Sequence, residues 1–101
     1  MDTRQSGLAA TRRRVVVTGE VQGVFFRDTC RRTALQYRVA GWVRNLPDGS
    51  VEAVFEGEPH HVALLVEWAG QGPPAAAVRQ VSVVDEEAEG LEGFEVRSTP
   101  Y

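Results

Sequence analysis

The sequence predicts an α+β sandwich of the split β-α-β type, an antiparallel sheet carrying two helices on one face. Three observations point there. Several stretches alternate apolar and polar residues with period two, as half-buried strands do. Two others repeat apolar residues at helical spacing, and the order along the chain is β-α-β-β-α-β with a short terminal strand. At 101 residues the chain supports a single core. One domain is expected over residues 13–101, behind a flexible polar tail at 1–12.

The first strand is predicted from about Arg13 to Thr18 or Glu20, with Val15 and Val17 on one face and Val16 and Thr18 on the other. A glycine-punctuated loop follows. The first helix is expected over about Phe26 to Tyr37, its apolar stripe formed by Phe26, Cys30, Ala34 and Tyr37. Next comes a hairpin. In the strand at about Val39–Asn45, alternation places Gly41, Val43 and Asn45 on one face and Trp42 and Arg44 on the other. Leu46-Pro47-Asp48-Gly49 is a turn, and a strand at about Ser50–Glu56 returns with Glu52 and Glu56 on the face opposite Val51, Ala53 and Phe55. Pro59 opens a second helix, to about Ala69, burying Val62, Leu65, Val66 and Ala69, and Gly70, Gly72, Pro73 and Pro74 end it. The fourth strand covers Val78 to Val84 or Asp85. Asp85 to Gly90 is an acidic, solvated connection, and a last short strand spans Phe94–Arg97.

The chemistry concentrates in Gly19-Glu20-Val21-Gln22-Gly23-Val24-Phe25-Phe26-Arg27. A β-branched run, Val15 to Thr18, enters it and the first helix leaves it. Two glycines let the loop curl, and a curled loop at a helix N-terminus points backbone N–H groups and the positive end of the helix dipole at one spot. Arg27 on the first turn adds a planar guanidinium that matches phosphate oxygens. The expected site is a phosphate cradle. On loop geometry alone, a tight strand-to-helix connection accounts for the same residues. The run lacks the Gly-Lys-Ser/Thr of a nucleoside-triphosphate loop and the G-x-G-x-x-G of a dinucleotide fingerprint.

Charge narrows the partners. The chain has 11 Arg and no Lys, with a net charge of −3. Residues 1–50 carry 9 Arg against 4 acids, whereas residues 51–101 carry 2 Arg against 10 acids. A basic half containing the loop suits a small anion, and the acidic total opposes general nucleic-acid binding. Phe25 and Phe26 are adjacent rather than alternating on a strand, unlike the stacking aromatics of a single-stranded RNA module. Cys30 is the single cysteine, which excludes an internal disulfide and fits a reducing cytoplasm; on the helix stripe it serves as a small core hydrophobe. His60 and His61 are neighbours that a helix points in different directions, so they are surface residues rather than metal ligands. No apolar run reaches membrane-spanning length, and no membrane partner is expected. Nothing calls for an oligomer, and a monomer is expected.

The cradle run, followed by Gly41-Trp42-Val43-Arg44-Asn45, resembles the paired signature of the acylphosphatases. The likeness extends through Leu46-Pro47-Asp48-Gly49, Trp68 and Gly72-Pro73-Pro74, covering about residues 13–97. It implies a ferredoxin-like fold, in agreement with the element order. It also implies hydrolysis of an acyl phosphate to a carboxylate and inorganic phosphate, with neither metal nor organic cofactor. By resemblance, the phosphate is held by the backbone of Val21, Gln22, Gly23, Val24, Phe25 and Phe26 and by Arg27, and Asn45 positions the attacking water. Neither motif holds a His, Cys, Ser or carboxylate pair for acid–base or nucleophilic work, which suits a substrate that already has a good leaving group. Glu20, whose charge would repel a bound anion, is expected to point outward. Two departures stand out. Tyr37-Arg38-Val39 replaces the family's usual Leu-Gly-Leu, which asks Arg38 for a left-handed conformation at a cost of roughly 1 kcal/mol. Phe25 occupies a loop position that is often small, where it would lie over the cradle and favour apolar acyl groups. The alternative to catalysis is a phosphate- or small-ligand-binding module of the same fold, for which Asn45 would have no use.

Overall fold

The computed structural model describes residues 10–101. Its elements follow the expected order: β1 (Thr11–Glu20), α1 (Phe26–Gln36), β2 (Ala40–Asn45), β3 (Val51–Gly57), α2 (Pro59–Gln71), β4 (Ala77–Glu86) and β5 (Phe94–Val96). The strands form one sheet in the order β4-β1-β3-β2-β5. The pairs β4–β1, β1–β3 and β3–β2 are antiparallel, as the ferredoxin-like arrangement requires. The terminal strand makes the sheet mixed, because β5 lies parallel to β2. After β4 the chain crosses from one sheet edge to the other and reverses, so it arrives running in the direction of β2.

Period-two alternation sorted the faces. Val15 and Val17 of β1, Val43 of β2, and Val51, Ala53 and Phe55 of β3 are buried under the helices, together with Phe26, Cys30 and Ala34 of α1 and Val62, Leu65 and Ala69 of α2. α1 lies over β2 and β5, and α2 over β1, β3 and β4. Burial pushes the Cys30 thiol up, so it stays protonated inside this core. α2 starts on a cap that the sequence reading missed. The Glu58 carboxylate accepts the N–H groups of His60 and His61, both at 3.2 Å, ahead of Pro59 at the first helical position. Both histidines lie at the surface. Among the described residues, no helix is long and apolar enough to cross a membrane.

α2 runs through Gly70 to Gln71, two residues past the end expected for it, and Gly72 caps it. Two further boundaries differ from expectation for one electrostatic reason. β1 begins at Thr11, which pairs with Gly57, and Arg12 pairs with both Glu56 and Glu86. Thr11 and Arg12, assigned from the sequence to the tail, are therefore sheet residues, while residues 1–9 lie outside the described ones. At the same end of the ladder, opposite Arg13 and Arg12, β4 runs through Asp85, one of the two ends expected for it, to Glu86, which the sequence assigned to the acidic connection. Arg13 Nε lies 2.6 Å from Asp85, and Arg12 Nε and Arg14 Nε lie 2.9 and 2.6 Å from Glu86. Cross-strand pairing of opposite charges extends a ladder that composition alone would end earlier. Nor is the rest of the connection wholly solvated. The N–H groups of Glu89, Gly90 and Leu91 donate to the Glu56 carboxylate at 3.0, 2.7 and 2.8 Å.

Candidate active site

β1 and β2 flank β3 and are each antiparallel to it, so they run the same way. Their C-terminal ends therefore meet at one end of the sheet. β5, parallel to β2, ends there as well. Across that end, Val17 pairs with Val51 and Val51 pairs with Asn45. The loop leaving β1 thus starts close to Asn45, which alternation has turned toward the helix side. A cavity of about 420 Å³ opens here, lined by Val21, Gly23, Phe25, Phe26, Arg27, Asp28, Asn45 and Val96.

The loop curls as its glycines allow. Gly19 sits at a bulge where the β1–β4 register shifts, and with φ at +123° a Cβ there would run into the carbonyl oxygen of Ala77. Gly23 has φ +74° with open space around it, so conformation rather than crowding requires glycine. Phe25 takes the left-handed region too, with φ 65°. It is also the residue at the head of α1, and its side chain makes no capping bond. Among the described residues, the loop N–H groups from Gln22 to Phe25 donate to no other backbone carbonyl. The contrast with α2 is informative. There the Glu58 carboxylate caps the helix N-terminus, whereas the N-terminus of α1 lies at the cavity without a side-chain cap, and its first-turn acid, Asp28, pairs with Arg32 at 3.1 Å.

The expected residues divide by side chain. Arg27 and Asn45 line the cavity together with Val21, Gly23, Phe25 and Phe26. Gln22 and Val24 do not line it. Val24 packs against the core. The Gln22 amide turns the other way and donates to the carbonyls of Leu46 and Ser50, 2.9 Å each. Those carbonyls belong to the β2–β3 turn that directly follows Asn45. That turn is itself closed by Leu46 N–H to Ser50 O at 2.9 Å and by Ser50 Oγ and N–H on Asp48 Oδ1 at 2.5 and 2.9 Å. The signature showed a glutamine in the loop, but only the fold shows what its side chain grips. Glu20 is exposed at the end of β1, in the outward direction expected for it.

Phe26 anchors the cradle from below. Its ring lies 5.1 Å from that of Trp68, and the turn at Gly72 closes on its far edge, where a Cβ would sit 3.0 Å from Phe26 Cε2. The distant Trp68 and Gly72 therefore buttress the loop through Phe26. Among the described residues, no group of three or more His, Cys, Asp or Glu could hold a metal ion.

Comparison with known proteins agrees with this geometry. The family model described as Acylphosphatase matches residues 13–96. An acylphosphatase of Gloeobacter violaceus is 59% identical over 87 residues, which is 86% of this chain and 94% of that protein. One from Thermococcus kodakarensis is 59% identical over 80 residues, 79% of this chain and 88% of that protein. The solved structure of an acylphosphatase from Coxiella burnetii superposes with a TM-score of 0.86 at 42% identity, covering 92% of this chain and 98% of that one. Because the match takes in the curled loop, the strand bearing Asn45 and the buttress beneath them, the chain belongs to the acylphosphatase family.

Proposed function

We propose that the chain hydrolyses the carboxyl–phosphate bond of acyl phosphates, with Arg27 and the loop amides holding the phosphoryl group and Asn45 aiming the water. The observation that carries this reading is the pairing, in one cavity, of a helix N-terminus that no side chain caps with a guanidinium and a carboxamide from a separate strand. The N–H groups and Arg27 stabilise negative charge on the phosphoryl oxygens, where it is spread in the transition state. Asn45 holds a water for in-line attack on phosphorus. The new P–O bond forms as the bond to the acyl oxygen breaks. The acyl group leaves as a carboxylate and needs no protonation, and the water's proton passes to a phosphate oxygen. Positioning and charge stabilisation are the two largest contributions available to such a transfer, and the site is built for both.

The products are a carboxylate and inorganic phosphate. The substrate is a small molecule; the acidic net charge weighs against a nucleic acid. A reducing cytoplasm suits a free, buried Cys30.

Hydrolysis of an aryl acyl phosphate by wild type, Arg27→Ala and Asn45→Ala tests the assignment. Arg27→Ala is expected to lose turnover and to weaken competitive inhibition by inorganic phosphate. Asn45→Ala is expected to retain phosphate inhibition while kcat falls by about 10²-fold or more, the scale of losing a key transition-state contact. A phosphate-binding module without catalysis would show inhibitor binding but no turnover even in wild type. Wild-type kcat in Asn45→Ala would remove the water-aiming role.

A further inference from the structure

We infer that Phe25 and Val96 form an apolar wall for the acyl body of the substrate, so that the site prefers aryl or branched apolar acyl phosphates to small ones such as acetyl phosphate. This rests on the hydrolytic reading above and adds a substrate class to it. Phe25 is 78% exposed and Val96 45% exposed, yet both line the cavity that Arg27 and Asn45 line. They come from distant parts of the chain, the loop after β1 and the last strand. Val96 reaches the cavity because β5 pairs parallel with β2, in register Val43 to Val96, and the Arg97 N–H continues the ladder onto Val43 O at 2.9 Å.

Packing does not account for Phe25. Its ring contributes nothing to the core, and its backbone holds φ 65°, a conformation that a bulky side chain adopts only under strain. Glycine or asparagine would make the same turn without strain and without an exposed ring. A cavity lined by Arg27, Asn45 and Asp28 and also by Phe25 and Val96 matches a ligand with an anionic head and an apolar body. The phosphoryl group takes the donors, and the acyl remainder lies along Phe25 and Val96.

The test is kcat/KM for benzoyl phosphate and for acetyl phosphate in wild type, Phe25→Asn and Val96→Thr. Asparagine tolerates the left-handed turn and threonine keeps the shape of valine, and thermal melts establish that each variant is folded. The benzoyl-to-acetyl preference is expected to fall about tenfold in Phe25→Asn and about threefold in Val96→Thr, the scale of losing an aromatic or a methyl contact. A folded variant that keeps the wild-type preference overturns the wall while leaving the hydrolytic reading intact. Wild type that turns over neither compound overturns that reading, and the wall with it.

Discussion

Gln22 shows how one side chain links two motifs that the sequence keeps apart. Its backbone belongs to the cradle, while its amide binds the carbonyls of Leu46 and Ser50, immediately beyond Asn45. The proposed phosphate seat and the proposed water-aiming carboxamide are thereby held in one frame. Effective catalysis by positioning is sensitive to shifts of an ångström, so the brace has a kinetic consequence. Gln22→Met fills the same space and donates nothing. It is expected to lower kcat about tenfold, equivalent to about 1.4 kcal/mol of barrier, with little change in inhibition by phosphate. In an Asn45→Ala background the same substitution is expected to have almost no further effect on kcat, since the group it positions is gone. Additive losses in that double-mutant cycle would show that Gln22 acts independently of Asn45. Cys30, by contrast, is buried and raised in pKa, and has no part in the chemistry.

At the level of the elements, the helix ends carry most of the information. α1 closes in a Schellman motif: Arg38 N–H donates to Leu35 O at 3.2 Å and Val39 N–H to Ala34 O at 2.8 Å. The motif requires a left-handed residue after the cap, and Arg38 supplies it with φ 58°. At the departure from Leu-Gly-Leu noted in the sequence, Arg38 thus takes the strained left-handed position of a Schellman turn. Arg38→Gly is expected to stabilise the protein by about 0.5–1 kcal/mol, raising Tm by a few degrees for a domain of this size. Turnover should stay at the wild-type rate, because Arg38 sits at the opposite end of α1 from Arg27. A lower Tm would mean that the Arg38 side chain contributes more than its backbone conformation costs.

Seen as a whole, the molecule has one face covered by helices and one armoured by charge. On the uncovered face Arg14, Arg44 and Arg97 stand over the Trp42 ring at 5.4, 4.8 and 4.8 Å. Glu52 bridges Arg14 and Arg44, both at 2.7 Å. Arg12, only 4% exposed, lies 3.2 Å from Glu56. This lid keeps Trp42 and Val54 buried without a second layer. Burial by itself would raise the Glu56 carboxyl. The N–H groups of Glu89 and Leu91, the Arg12 guanidinium and the Gly90 N–H outweigh it and hold the group below the usual carboxylate range. A carboxyl with a depressed folded pKa stabilises the fold above its unfolded pKa, and that contribution is lost as pH falls through the folded value. Wild-type stability should therefore drop as pH falls below about 4.3, the ordinary glutamate value. Glu56→Gln should cost about 3 kcal/mol near pH 7, the order expected when a buried ion pair loses one partner. The gap to wild type should narrow as the solution is acidified, as read from denaturant melts at several pH values. A gap that stayed constant with pH would place the contribution of Glu56 in its packing and not in its charge.

The element order, the two faces of each strand and the curl of the loop were legible in the sequence, whereas the left-handed turn at Arg38 was implied by the family resemblance. Each depends on residues two to four positions apart, and local sterics and periodicity act over that range. The three-way meeting of the ends of β1, β2 and β5 was not legible, because it follows from which strand lies beside which across the whole sheet. Neither was the charge pairing that draws Arg12 and Glu86 into strands, nor the capture of residues 89–91 by Glu56. An ion pair between residues dozens of positions apart has no local signature. Which acid meets which arginine, and which side chain reaches the cavity, was decided only when the sheet closed.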